Sequence, residues 1–140
     1  MGQQQLLLII LGVIVVGIAV AVGITMFAAN ATSANRDAVV NDLVNFAARA
    51  QQYYRRPTAL GGGGGSFSNL TSGSGMKLLT KTTGTSMSNG NGEYTIVSNS
   101  ASTLKLQGLG TETGNDGTGK VKVVMDVWAD SAKVDITQTN

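Results

Sequence analysis

The 140-residue chain contains no cysteine and no histidine, which removes disulfide frameworks, Ser-His and Cys-His nucleophilic systems, c-type haem attachment and the usual zinc sites. Charged residues make up 13% of it and the net charge is +2, against about 25% charge in ordinary soluble domains, so nothing in the balance points to nucleic acid. Most enzyme mechanisms are gone with these residue types; a non-enzymatic protein without cofactor or metal is expected, its surface rich in Ser, Thr, Asn and Gly.

Residues 1–5 carry no Lys or Arg and so lack the basic start of a secretory signal, and the apolar run that follows is too long for a signal's core, so its retention is expected. That run, residues 6–29, holds 24 residues without a charge. As a helix it covers about 36 Å at ~1.5 Å per residue, enough to cross a bilayer's hydrocarbon layer. Gly12, Gly17 and Gly23 punctuate it, each costing ~1 kcal/mol of helix stability relative to Ala in water. They are either small residues for close helix–helix packing or points where the helix unwinds. The first charged side chain, Arg36, is followed at once by Asp37, so charge asymmetry sets no orientation; an external C-terminal head is expected from the low-charge, β-rich composition instead.

No proline interrupts the chain before Pro57, and the helical period continues. Val40, Leu43, Ala47, Ala50 and Tyr54 recur at three- and four-residue steps, with Val39, Phe46 and Tyr53 one position earlier, a wide apolar stripe suited to covering a sheet. Asn41, Asn45, Arg49, Gln52 and Arg56 fall on the other side. Pro57 ends the helix by pushing its predecessor out of the α region and lacking an N–H, and Arg55 and Arg56 suit the negative helix end.

Residues 61–65 are five glycines, read as a turn or flexible connection between rod and head. Residues 66–92 are Ser/Thr/Gly/Asn-rich around an apolar patch at Met76, Leu78 and Leu79, a helical turn or a short strand. Beyond Gly92 the period becomes two: Tyr94 and Ile96; Leu104 and Leu106; Val121, Val123, Met125, Val127 and Ala129; Ala132, Val134 and Ile136. Four strands are expected, joined through residues 99–101, 108–119 and 130–131 as an antiparallel meander with one buried face, which the amphipathic half of the helix must cover. Trp128 falls out of phase, on the outer face beside Asp126 and Asp130, either covered by the glycine-rich loop or set against another subunit. The expected fold is thus α+β: one long N-terminal helix, apolar over residues 1–30 and amphipathic over 31–56, a connecting loop over 57–92, and a four-stranded antiparallel head over 93–140.

Residues 114–121 come within one position of a phosphate-binding P-loop, but Val121 replaces the hydroxyl residue and a strand follows where a helix is required, so a hairpin loop is expected. Asp116 lacks a second acid at calcium-ligand spacing. Asn30 and Asn69 begin Asn-x-Thr acceptor patterns for N-glycosylation, Asn69 being the better candidate because Asn30 adjoins the apolar helix.

In this order of parts the chain resembles the type IV pilins and pseudopilins: an apolar helix starting near residue 5, its amphipathic continuation ending in Gln51, Gln52, Tyr53, Tyr54, Arg55, Arg56 and Pro57, a variable loop, then an antiparallel sheet. The resemblance is specific over residues 6–57. It implies export through the inner membrane, cleavage by a prepilin peptidase, handling by pilus assembly machinery, and polymerisation of the chain with itself into a filament whose core bundles the apolar helices. On that reading Gln5, Leu6, Leu7, Ile10, Gly12, Val15, Gly17, Val22 and Gly23 form the assembly helix. Family members usually place a Glu at the fifth mature position to pair with a neighbour's N-terminal amine. With Met1 as first residue Gln5 takes that place, offering a carbonyl but no charge; with cleavage after Gly2 it falls to Leu7. The family's usual C-terminal cysteine pair is missing.

The function expected is therefore a structural, major-pilin-like subunit of an extracellular filament. A pseudopilin of a type II secretion-like system and a non-polymerising membrane-anchored binding module are the alternatives.

Overall fold

The computed structural model describes residues 2–114 and 116–135. One α-helix, α1 (Gly2–Arg55), runs for 54 residues without a break. Its final turn meets Pro57, and a single 3-10 turn at Thr58–Leu60 follows. A short helix, α2 (Gly75–Thr80), precedes five strands: β1 (Met87–Ser88), β2 (Gly92–Asn99), β3 (Thr103–Thr113), β4 (Lys120–Trp128) and β5 (Ala132–Val134). They form one antiparallel meander in chain order, so the molecule is an α+β protein with its long helix laid on a sheet.

The sheet has five strands rather than the four expected. The additional one, β1, is a two-residue edge pairing Met87 with Tyr94 and Ser88 with Glu93, too short for alternation to reveal. The apolar patch at residues 76–79 is helical, and it buries Met76 and Leu79.

The core lies between the second half of α1 and the inner sheet face. Val39, Leu43, Phe46, Ala47, Ala50 and Tyr53 are buried, with Val40 and Tyr54 partly buried at its margin. Against them lie Tyr94, Ile96, Leu104, Leu106, Val121, Val123, Met125 and Val127. The Phe46 and Tyr94 rings meet at a centroid distance of 4.9 Å, and Tyr54 meets Phe67 from the connecting loop at 4.7 Å. Each large side chain fully buried this way contributes about 1.5–3 kcal/mol of transfer free energy.

Strand β3 reaches Thr113, further than the alternation of Leu104 and Leu106 suggested, because Gly108 and Gly110 continue its buried face. A side chain is excluded at both. A Cβ on Gly108 would meet Val39 Cγ1 and the Tyr94 ring, and one on Gly110 would meet Asn35 Oδ1. The helix thus packs tightly on the sheet where the strand has no side chains.

The five glycines form a cap. Gly61, Gly64 and Gly65 adopt φ values of 75°, 58° and 86°, which glycine reaches without steric penalty. This turns the chain back on the end of α1, where the last carbonyls of a helix lack intrahelical partners. Gly63 N–H donates to Tyr53 O at 2.8 Å, Gly64 N–H to Arg56 O at 2.9 Å and Gly65 N–H to Tyr54 O at 2.8 Å. The run is pinned rather than free.

Replacing Gly108 by Val should cost about 1–3 kcal/mol through overpacking, whereas Gly119→Val, at a position open to solvent, should stay within about 0.5 kcal/mol. Thermal unfolding of the full chain in detergent reads both; equal stability of the two variants would show that α1 does not press on β3.

Candidate functional site

The first half of α1 presents a surface unlike the rest of the molecule. From Leu6 to Phe27 every large apolar side chain is exposed, from 51% at Val22 to 79% at Phe27. Among the described residues none of the head reaches this segment's most apolar stretch, and by length and composition the helix can cross a membrane. Monomeric soluble proteins rarely leave so large a contiguous apolar surface uncovered, so this segment requires an apolar environment, whether lipid or protein.

Leu6, Leu7, Ile10, Val15 and Val22 all lie on this exposed surface, preceded by the exposed Gln5. Added Cβ atoms at Gly12, Gly17 and Gly23 would touch nothing in the chain, and the helix passes through all three without unwinding. Among the residues expected to seat the sheet, Leu43, Ala47 and Ala50 are buried, and Val40 and Tyr54 are partly buried. Asn69 is exposed in a loop.

A set of polar contacts joins α1 to the sheet and fixes the head's position on the rod. Thr32 Oγ1 donates to Thr113 O at 2.9 Å. Asn35 is used from both ends of its amide: Nδ2 donates to Asn91 O at 2.9 Å, and Oδ1 accepts from Thr111 N at 3.1 Å. At the other end Gln51 Nε2 donates to the Trp128 and Ser131 carbonyls, both at 3.1 Å. Trp128 itself is partly exposed on the outer face.

Asp42 makes the densest of these contacts. Its Oδ2 accepts from the Tyr94 hydroxyl at 2.6 Å and from the Asn89 and Asn91 amides at 2.9 Å each. Burial works to raise its pKa, but hydrogen bonds from Asn91, Tyr94 and Asn89 together outweigh it and hold the carboxyl below the ordinary value. Burial, then the hydrogen bond and charge of Asp42, push the Tyr94 phenol well above its usual range. Sequence reasoning missed this group. Its signal was a carboxylate three residues after Val39 and four before Phe46, on the margin of the apolar stripe.

The residues resembling a P-loop form the β3–β4 turn. Gly114 N–H donates to Gly119 O at 2.7 Å, and Asp116 Oδ1 accepts from the Thr118 and Gly119 amides at 3.1 and 3.3 Å. The loop therefore uses its own amides to close the hairpin. Ile136 lies outside the described residues. On the outer sheet face Lys105 pairs with Asp126 at 3.1 Å and Asp135 at 3.3 Å; partly exposed pairs of this kind contribute little stability. Among the described residues no group of three or more acids could hold a metal ion.

No protein-family model, no curated protein and no solved structure matches the chain.

Because the folded pKa of Asp42 lies below its unfolded value of about 3.9, its contribution to stability is present above that value and is lost as pH falls through the folded pKa. Asp42→Asn should lower stability at pH 7 and flatten the fall in melting temperature as the pH drops below about 4. An unchanged slope in the variant would contradict the role of this carboxylate.

Proposed function

We propose that this chain is a non-enzymatic structural subunit of an extracellular helical filament, held together by residues 2–30 of α1 packed among the same segments of neighbouring copies. The observation that carries this reading is the exposure of every large apolar side chain from Leu6 to Phe27 on a helix whose second half is already committed to its own sheet. The chain spends one half of the helix on itself and leaves the other for a partner.

Lipid can cover such a surface, and on this reading the unassembled subunit sits in the inner membrane. The glycines favour packing against other helices in the final state. At about 100° per residue, Gly12 and Gly23 lie within roughly 20° of each other on the helix surface, and Gly17 lies about 140° away. A helix facing only lipid gains nothing from such positions, whereas close approach of helices does. Open positions on two sides suit a helix with several neighbours more than one side of a dimer. Pilus assembly machinery and a prepilin peptidase are the partners this route requires.

The head would then face outward. The unbroken α1, its C-terminus capped by residues 61–65 and its polar contacts at Asn35, Asp42 and Gln51, transmits the position of the core segment to the sheet. An acid in the filament core carries a desolvation cost that no partner there offsets. Val15→Asp or Val22→Asp should therefore abolish filaments while leaving the head folded, as read by electron microscopy of sheared cell-surface material. Abundant normal filaments from either variant would contradict the reading.

A further inference from the structure

A small pocket opens at the end of the head furthest from the apolar segment, between the last two turns of α1 and the end of α2. Arg49, Gln52 and Tyr53 from one face of α1, with Arg56 just past its end, line one side. Leu78, Leu79 and Lys81 line the other, and its volume is about 140 Å³. Pockets for drug-sized ligands run to about 300–1,000 Å³, so this one holds a single small group.

Its chemistry is one-sided. Three cations line it with no acid among them. The Arg49, Arg56 and Lys81 side chains have no hydrogen-bond or ion-pair partner among the described residues. Tyr53 is only 8% exposed and its hydroxyl likewise lacks such a partner. No fully buried side-chain oxygen is left unpartnered among the described residues, so that hydroxyl keeps access to solvent, and Tyr53 is one of the residues that line the pocket.

Lys81 adds a second, independent observation. Among the described residues it alone, apart from glycines, has a positive φ, at 57°. It caps α2 in the left-handed conformation, its N–H donating to Lys77 O at 2.9 Å, a position where glycine is the usual occupant. A lysine there is disfavoured for the backbone, yet this lysine is one of the residues that line the pocket.

We propose that this pocket binds a dianionic phosphate group, such as that of a phosphate monoester. The guanidinium groups of Arg49 and Arg56 supply bidentate donors matched to such oxygens, and Lys81 supplies a compact charge. The Tyr53 hydroxyl and the Gln52 amide supply neutral donors, while Leu78 and Leu79 lie against the carbon that carries the ester. A dianion balances three cations better than a single carboxylate does. The pocket begins 20 residues past Ala29, about 30 Å along the helix, so headgroups of the membrane that holds the apolar segment do not reach it. The site requires only a folded head, and it stands whether or not the chain forms filaments.

The test titrates the full chain, in neutral detergent micelles at fixed ionic strength, with inorganic phosphate and separately with glucose 6-phosphate, followed by phosphorus NMR and calorimetry. Saturable one-to-one binding is expected, weakened about tenfold or more by Arg49→Gln and by Arg56→Gln. Lys81→Gly should weaken binding several-fold while raising the melting temperature, because glycine takes the left-handed conformation freely. A lysine with a purely structural role would change the melting temperature alone. Tighter binding of glucose 6-phosphate assigns the group to an ester on a carbon carrier, and equal binding assigns it to the free anion. A titration that never saturates, or affinity unchanged in the Arg49→Gln/Arg56→Gln double variant, overturns the proposal.

Discussion

The structure depends on one helix that has a packing partner within the chain over only half of its length. Residues 39–54 of α1 find theirs in the sheet of the same chain, where Leu43, Phe46 and Ala50 are buried. Residues 6–27 find none among the described residues, and their apolar side chains stand open to whatever surrounds them. No break separates the halves, since α1 is continuous from Gly2 to Arg55. What the first half binds therefore determines where the second half, and the head with it, is held.

That coupling works only if the head cannot slide or rotate on the rod, and three kinds of contact prevent it. Close packing fixes the distance: a Cβ on Gly108 would meet Val39 and one on Gly110 would meet Asn35, so a side chain at either position forces its neighbours to shift. Hydrogen bonds fix the register, with Asn35 and Asp42 holding the β1–β2 and β3 segments at one end and Gln51 holding the β4–β5 turn at the other. The glycine run fixes the end of the rod by supplying amides to the Tyr53, Tyr54 and Arg56 carbonyls. Hydrophobic burial supplies most of the free energy, but it is non-directional. The polar contacts and the excluded Cβ positions decide which arrangement is adopted.

Much of this was legible in the amino-acid sequence because it rests on period and punctuation. An uninterrupted apolar run, a three-four stripe and a proline specified α1, and two-residue alternation marked the longer strands. What escaped depends on tertiary proximity. Gly108 and Gly110 read as turn residues because glycine in a strand acquires its meaning only from the helix packed above it. The five glycines read as a connection because nothing local shows that their amides meet the orphan carbonyls of a helix. Asp42 read as one more polar helix residue until Tyr94, Asn89 and Asn91, some fifty residues away, converged on one of its oxygens. The short strand β1 has too few residues to carry a period.

In the proposed filament, the uncovered half of α1 exchanges lipid for neighbouring helices. Apolar burial changes little in that exchange, so van der Waals packing around small residues favours assembly. The measurement that tests this account most directly is intact mass and N-terminal sequencing of the material that sediments after cells are sheared and the cell bodies removed. The account predicts that this chain dominates the pellet. Its first residue then tells whether Gln5 or Leu7 occupies the fifth position. A chain that stays with the membranes and is missing from the sheared material would contradict the account.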